Sequence, residues 1–186
     1  MEVISGTTQF HMDSYSAVCI GKFDGVHIGH RKLISKITEK KSEGMRAVVF
    51  TFDPSPEELF TGKKSGSLCS KEEKEAYLED LGVDVVIEFP LTFESAAMEA
   101  EDFVRKILID GLNMKYIVAG DDISFGAGGR GDRKLIEQMS TQYGFRCDII
   151  NKVMVDGEEV SSSRIREAIR KGKVNEAYRM LGRIGR

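Results

Sequence analysis

Cysteine, proline and histidine are all scarce, with three of each in 186 residues. The cysteines, Cys19, Cys69 and Cys147, lie far apart and form no CxxC pair. A scattered, odd set excludes both a disulfide framework and a zinc site of the usual spacing. Cys19 sits inside an apolar run and reads as a small core residue. No run is long and apolar enough to cross a bilayer. The first residues, MEVISGTTQF, lack the basic start and apolar stretch of a signal peptide. The cytoplasm is therefore the expected location, with no membrane partner. Charge of one sign is missing as well: 27 basic residues stand against 30 acidic ones, for a formal net charge of −3. Such a balance gives no long-range attraction to nucleic acid or an anionic membrane surface. Basic groups that bind phosphate must then be local, gathered in one cleft.

What remains is ordinary for a packed protein. Hydrophobic residues make up 41% and charged residues 31%, too apolar for disorder. Internal repeats, low-complexity tracts and linkers are absent, so one domain over residues 1–186 is expected. Short apolar runs rich in β-branched residues occur at Ala17–Gly21, Arg46–Phe52, Val83–Phe89, Lys115–Gly120 and Phe145–Ile150, as buried parallel strands require. Longer amphipathic stretches separate them: Arg31–Ser42, Lys71–Leu81, Ala100–Asp110 and Lys134–Tyr143. Alternation of this kind predicts an α/β fold, a Rossmann-like doubly wound parallel sheet of about five strands with helices on both faces. The tail differs. Lys152–Val160 carries an Asp-Gly pair between short apolar runs and reads as a hairpin. Two short helices follow, near Ser163–Lys171 and Val174–Leu181.

In open parallel sheets, ligands bind beyond the carboxyl ends of the strands. The segments just after each strand therefore carry the functional information. After the first comes Gly21-Lys22-Phe23-Asp24-Gly25-Val26-His27-Ile28-Gly29-His30, which holds two of the three histidines. Glycines there allow a sharp turn and close approach of backbone to ligand. His27 and His30 sit at a helix start, on one side of it, where free N–H groups and the positive dipole end receive anions. A tight strand–helix turn with two surface histidines is the plainer alternative. His11, the third, has no assignable role.

The second strand leads into Thr51-Phe52-Asp53-Pro54-Ser55-Pro56, which contains two of the three prolines. A stiff loop with Phe52 before it and Phe60 after it can grip a flat aromatic ligand. The same residues also suit a rigid connector with core phenylalanines. The fourth strand leads into Gly120-Asp121-Asp122-Ile123-Ser124-Phe125-Gly126, then Arg130-Gly131-Asp132. Adjacent carboxylates at a strand end can hold Mg²⁺ through water or accept hydrogen bonds from a ribose, and they equally suit an acidic turn. The glycine-rich segment 127–131 is expected to move and to close over substrate. After the hairpin comes Ser161-Ser162-Ser163-Arg164-Ile165-Arg166. One serine is explained as an N-cap. Three serines with two arginines suggest a second phosphate cradle, held by Ile165, Ala168 and Ile169 turned inward.

Taken together, GKFDGVHIGH, TFDPSP, GDDISFG and SSSRIR resemble, in order, the motifs of the flavin adenylyltransferase module of bacterial riboflavin kinase/FMN adenylyltransferases, within the HxGH nucleotidyltransferases. That family shows TFxPHP, GxDFxFG and SSTRIR, so Ser55, Ile123 and Ser163 are departures. The resemblance runs from about Val18 to Arg183, where the two-domain family continues into its kinase barrel. It implies a single adenylyltransferase domain with no kinase domain. It further implies transfer of AMP from ATP to FMN by direct in-line attack, giving FAD and pyrophosphate, with Mg²⁺ present. By resemblance His27, His30 and Arg164 are catalytic. Gly21, Phe23, Asp24, Gly25, Gly120, Asp122, Ser162, Ser163 and Arg166 bind ATP or its phosphates, and Arg166 is alternatively structural. Phe52, Pro54, Pro56 and Phe125 bind FMN. Another adenylyl- or cytidylyltransferase with a different phosphorylated acceptor, or a non-catalytic flavin- or nucleotide-binding regulator, would share parts of this pattern.

Overall fold

The computed structural model describes residues 1–63 and 66–183. Six parallel strands form one sheet: β1 (Glu2–Ser5), β2 (Ser16–Ile20), β3 (Arg46–Asp53), β4 (Val85–Pro90), β5 (Met114–Gly120) and β6 (Arg146–Ile150). Their spatial order is β1-β4-β3-β2-β5-β6. All five apolar runs became strands, and β1 is one more than expected. It is a four-residue edge strand, largely exposed, paired only with β4. So short a stretch, with solvent on both faces, carries little periodic signal.

Residues alternate between faces along each strand. Ala17 and Cys19 of β2 pack with Ile34 and Ile37 of α1 (Ile28–Glu39) on one face, against which Leu78 also packs. Val18 and Ile20 face the opposite layer, with Phe103, Val104 and Leu108, and with Ile136 and Met139 of a later helix. Helices on both faces make the sheet doubly wound. After α2 (Pro56–Thr61), α3 (Lys71–Asp80) and α4 (Phe93–Ala96), the stretch read as one helix from Ala100 proves to be two. A single turn, α5 (Ala100–Asp102), passes into a π-helix over Phe103–Gly111. Its wider turn buries Phe103, Val104, Ile107 and Leu108 together. α6 (Arg133–Tyr143) precedes β6.

The hairpin forms as β7 (Met154–Val155) and β8 (Glu158–Glu159). Asp156 and Gly157 both have positive φ, the conformation that an Asp-Gly turn matching strand twist requires. Helices α7 (Ser162–Arg170) and α8 (Val174–Leu181) enclose a small third core of Val160, Ile165, Ala168, Ala177, Met180 and Leu181. Ile28 and Leu68 pack against that core, which fastens the tail to the start of α1. The glycine-rich segment expected to move is tied down: Phe125 and Gly131 exchange backbone hydrogen bonds, Ala127 N–H donates to Met98 O, and Arg130 pairs with Glu99.

From β2 the chain steps outward to β3 and β4, then returns across β2 to β5 and β6. The switch of direction lies between β2 and β5. A crevice opens there beyond the carboxyl ends of the strands.

Candidate active site

A cleft of about 440 Å³ occupies that crevice. Gly21, His27, Gly29 and His30 form one wall; Gly120, Asp122 and Ile123, from beyond β5, form another. Ser161 and Ser162 close it from the α7 start, and Phe52, Ser55 and Pro56 from beyond β3. Eight of the residues singled out in sequence thus meet around one space: Gly21, His27, His30, Phe52, Pro56, Gly120, Asp122 and Ser162.

The front turn is strained and is held by burial. Phe23 and Val26 have positive φ (52° and 41°), a conformation that non-glycine residues, β-branched ones above all, adopt at a cost. Both side chains are fully buried in the α1-side core, which offsets that cost. Between them Gly25 also has positive φ, and a Cβ there would press on Leu68 at 2.9 Å. The turn delivers His27 to the N-cap of α1, where its Nδ1 accepts the His30 N–H at 3.4 Å. An accepting Nδ1 puts the proton of the neutral ring on Nε2, leaving that N–H as a donor. The two imidazoles stack, with centroids 3.6 Å apart and planes 15° from parallel. Burial lowers the His27 pKa to about 4, against the opposing pull of the Asp24 carboxylate. Burial, and secondarily His27, pushes His30 well below the usual histidine range. Both rings are neutral at neutral pH. His30 Nδ1 is buried without a partner among the described residues, and a ligand donor or acceptor would relieve that deficit.

Other predicted residues stand behind the walls instead of on them. Asp24, only 6% exposed, accepts from Leu68 N–H at 2.7 Å and pairs with Arg166 at 2.6 Å. Its backbone carbonyl accepts from Ser162 Oγ at 3.0 Å. Ser163 Oγ accepts from Arg166 at 3.2 Å. Asp24, Ser163 and Arg166 therefore form a staple that binds the front turn to the start of α7. Arg183 adds to it by donating to Gly25 O at 3.0 Å. Arg164 faces the hairpin: it donates to the carbonyls of Val155 (3.1 Å), Glu158 (2.9 Å) and Glu159 (3.3 Å) and pairs with Glu176 at 2.8 Å. Phe125 is buried, joined through Phe103 (5.7 Å) to Phe52 (6.0 Å further), so it backs the aromatic wall without lining it. Pro54, after a cis peptide bond, lies outside the cleft lining.

Two lysines on the cleft wall escaped the sequence reading. Lys22 follows Gly21, and its Nζ lies 3.6 Å from Glu57. Lys152 lies between Asp122 (3.2 Å) and Glu159 (2.9 Å). Each stands two residues beyond a strand end, Ile20 and Ile150, and that position was the signal available. Asp122 is the one carboxylate on the cleft wall among the described residues, and no group of three or more His, Cys, Asp or Glu there could hold a metal ion.

A doubly wound sheet whose switch-point cleft joins an imidazole-capped helix start to a serine-rich one defines a protein of the nucleotidyltransferase-like α/β class. The family described as FAD synthetase matches residues 9–164, and the chain belongs to that family. It is 35% identical over 165 residues to the bifunctional riboflavin kinase/FMN adenylyltransferase of Escherichia coli strain K12, covering 88% of this chain and 53% of the relative. It is 33% identical over 175 residues to the same-named protein of Buchnera aphidicola subsp. Schizaphis graminum, covering 92% and 56%. The chain thus spans about half the length of these curated relatives. Among solved structures, a Streptococcus pneumoniae protein described as a macrolide-efflux protein superposes with a TM-score of 0.83 at 28% identity, covering 98% of this chain and 61% of that one.

Proposed function

We propose that this chain transfers the AMP moiety of ATP to FMN, giving FAD and pyrophosphate. The observation that carries the reading is convergence: His27, His30 and Ser162, from opposite ends of the sequence, line one cleft at the switch point. Family membership supports the choice of FMN as acceptor. The unit that does this is a single domain over residues 1–186, working in the cytoplasm on small-molecule substrates.

The phosphates of ATP lie between the α1 and α7 starts, where N–H groups, the Ser162 hydroxyl and the neutral imidazoles offer hydrogen bonds. Phe52, Pro56 and Ile123 supply the apolar surface for the flavin ring. A phosphate oxygen of FMN attacks the α-phosphorus in line, the bond to the bridging oxygen breaks, and pyrophosphate leaves with that electron pair. Positioning and charge compensation do most of the work in such a transfer. Arg164 contributes through the hairpin that it holds, and Asp24 with Arg166 through the staple. Mg²⁺ demands few protein ligands and keeps waters and substrate phosphates, so the single carboxylate of Asp122 suits a metal that arrives with ATP and screens its charge.

Incubation with FMN and Mg-ATP, followed by chromatography for FAD and a pyrophosphate assay, tests the reading. FAD and pyrophosphate in equal amounts are expected. Pyrophosphate release with nicotinamide mononucleotide or phosphopantetheine but not FMN would move the acceptor. Saturable flavin binding with no pyrophosphate would remove the catalytic reading altogether.

A further inference from the structure

We propose that a second chamber beside the cleft holds the polyhydroxyl (ribityl) chain of the acceptor, with Glu88, Lys71 and Asp53 bonding its hydroxyls. This assignment rests on the reading of FMN as acceptor and deepens it. A cleft of about 440 Å³ is the size that one small ligand fills, and the transfer seats two. With the phosphates of ATP at the imidazole turn and the serine-rich start of α7, further room is needed on the β3 side. A chamber of about 250 Å³ lies there, and Lys22, Thr51, Phe52 and Ser55 line both spaces. Asp53 and Glu88, from the ends of β3 and β4, and Ser70, Lys71 and Lys74, from the start of α3, add to its wall.

The lining selects among the parts of the acceptor. Phe52 is its one aromatic side chain among the described residues, so it offers little to a flavin ring. Four carboxylates stand in it beside three lysines, so it has no net pull on a further phosphate. Such a wall suits a chain of neutral hydroxyls, each able both to donate and to accept. Glu88 is the unusual member. It interrupts the apolar strand β4, and its side chain is only 4% exposed. A buried carboxylate is costly unless its lone pairs are met. Lys71 donates to one oxygen at 2.6 Å, while Lys74 stands 4.0 Å from the other, beyond hydrogen-bond reach. That leaves acceptor capacity on Glu88, in the wall of a chamber adjoining the cleft, and a ribityl hydroxyl meets it. Lys71 keeps further N–H groups for the same chain. The chain leaves the ring at Phe52, which lines both spaces, and returns its phosphate to the imidazole turn.

The test compares FMN with a flavin phosphate whose ribityl chain is replaced by a plain pentyl chain. Pyrophosphate release gives kcat/KM for each acceptor in wild type, Glu88→Gln, Lys71→Met, Lys71→Arg and Asp53→Asn. Wild type should prefer FMN about a hundredfold, at about fivefold for each hydroxyl that finds a partner. Glu88→Gln, Lys71→Met and Asp53→Asn should each cut that preference to about twentyfold, and Lys71→Arg should keep most of it. A merely structural role would weaken both acceptors alike and leave the preference unchanged. Calorimetric binding of Mg-ATP should stay within about twofold throughout, since its phosphates lie elsewhere in the cleft. Asp53 is exposed, so its variant decides the matter even where a Glu88 variant fails to fold. A wild type that uses the two flavin phosphates within about threefold of each other overturns the proposal, as does a full preference retained in every variant. A wild type that adenylylates ribitol 5-phosphate but not FMN counts against the FMN reading. The same variants, run on ribitol 5-phosphate and pentyl phosphate, then still decide the chamber.

Discussion

The two helix starts that meet in the cleft read alike in sequence and are built differently. At the front, the His27 and His30 side chains stand on the cleft wall, while the residues between β2 and them, Phe23, Asp24 and Val26, are buried as its support. At the rear only Ser161 and Ser162 reach the wall; Ser163, Arg164 and Arg166 face away and hold protein to protein. The lesson is that a charged residue at a helix start is not thereby a ligand-binding one. Arginine has five donors, and a turn with several carbonyls and a carboxylate nearby can occupy most of them.

The comparison can be broken most sharply at His27. His27→Ala should lower FAD formation by about a hundredfold or more, the effect of losing one preorganised donor. The fold should weaken only by about 1 kcal/mol for the lost helix cap, read by urea denaturation. Arg164→Ala should do the reverse. Stability should fall by about 1–2 kcal/mol as partly exposed hairpin carbonyls and Glu176 lose their partner, and activity should recover at low temperature where the variant remains folded. A full activity loss with unchanged melting temperature would return Arg164 to the chemistry.

A third difference is pH. His27 titrates lower in the folded protein (about 4) than the ordinary value of 6.5, so the unfolded chain takes up its proton first. Its contribution is complete above about pH 6.5 and is lost as pH falls toward 4, on the order of 3 kcal/mol in all. His27→Gln should reduce that slope in denaturation curves taken between these pH values, leaving the part due to His30, which burial also holds well below the usual range. No comparable histidine slope arises from the rear helix start. The smallest expected effect concerns Ser55, which stands where the family has histidine. It caps α2 by accepting Glu58 N–H at 3.4 Å, so Ser55→Ala should lower stability by about 1 kcal/mol. A large rate change instead would give Ser55 a place in substrate binding.

Much of the fold was legible because its signals are local. β-branched runs marked β2 to β6, and Asp-Gly marked the β7–β8 turn. α2 was missed because two prolines read as loop, although Ser55, Pro56 and Gly62 are the N-cap, first-turn and C-cap residues of a helix. The π-helix was missed because a 3.6-residue pattern does not separate it from an ordinary helix. In the site, several residues just past strand ends line the cleft as expected, among them Gly21, Gly120 and Asp122. Those one or two positions along a tight turn were not separated from them, because successive side chains in a turn point in different directions. Asp24, given to ATP by resemblance, is paired with Arg166, 142 positions away, a contact that no local pattern reveals. Lys22 and Lys152 were overlooked because a single lysine carries no pattern.

That same span between Asp24 and Arg166 sets an order of assembly. A chain emerging from its N-terminus makes the imidazole turn early, yet the arginine and serine that back it arrive only with α7. Contacts so distant in sequence carry a larger loop-closure cost than local ones. A half-synthesised protein therefore lacks one wall of the cleft. A chain cut before Ser162 lacks the rear wall of the cleft, and its binding of Mg-ATP is expected to be weaker than that of the whole chain.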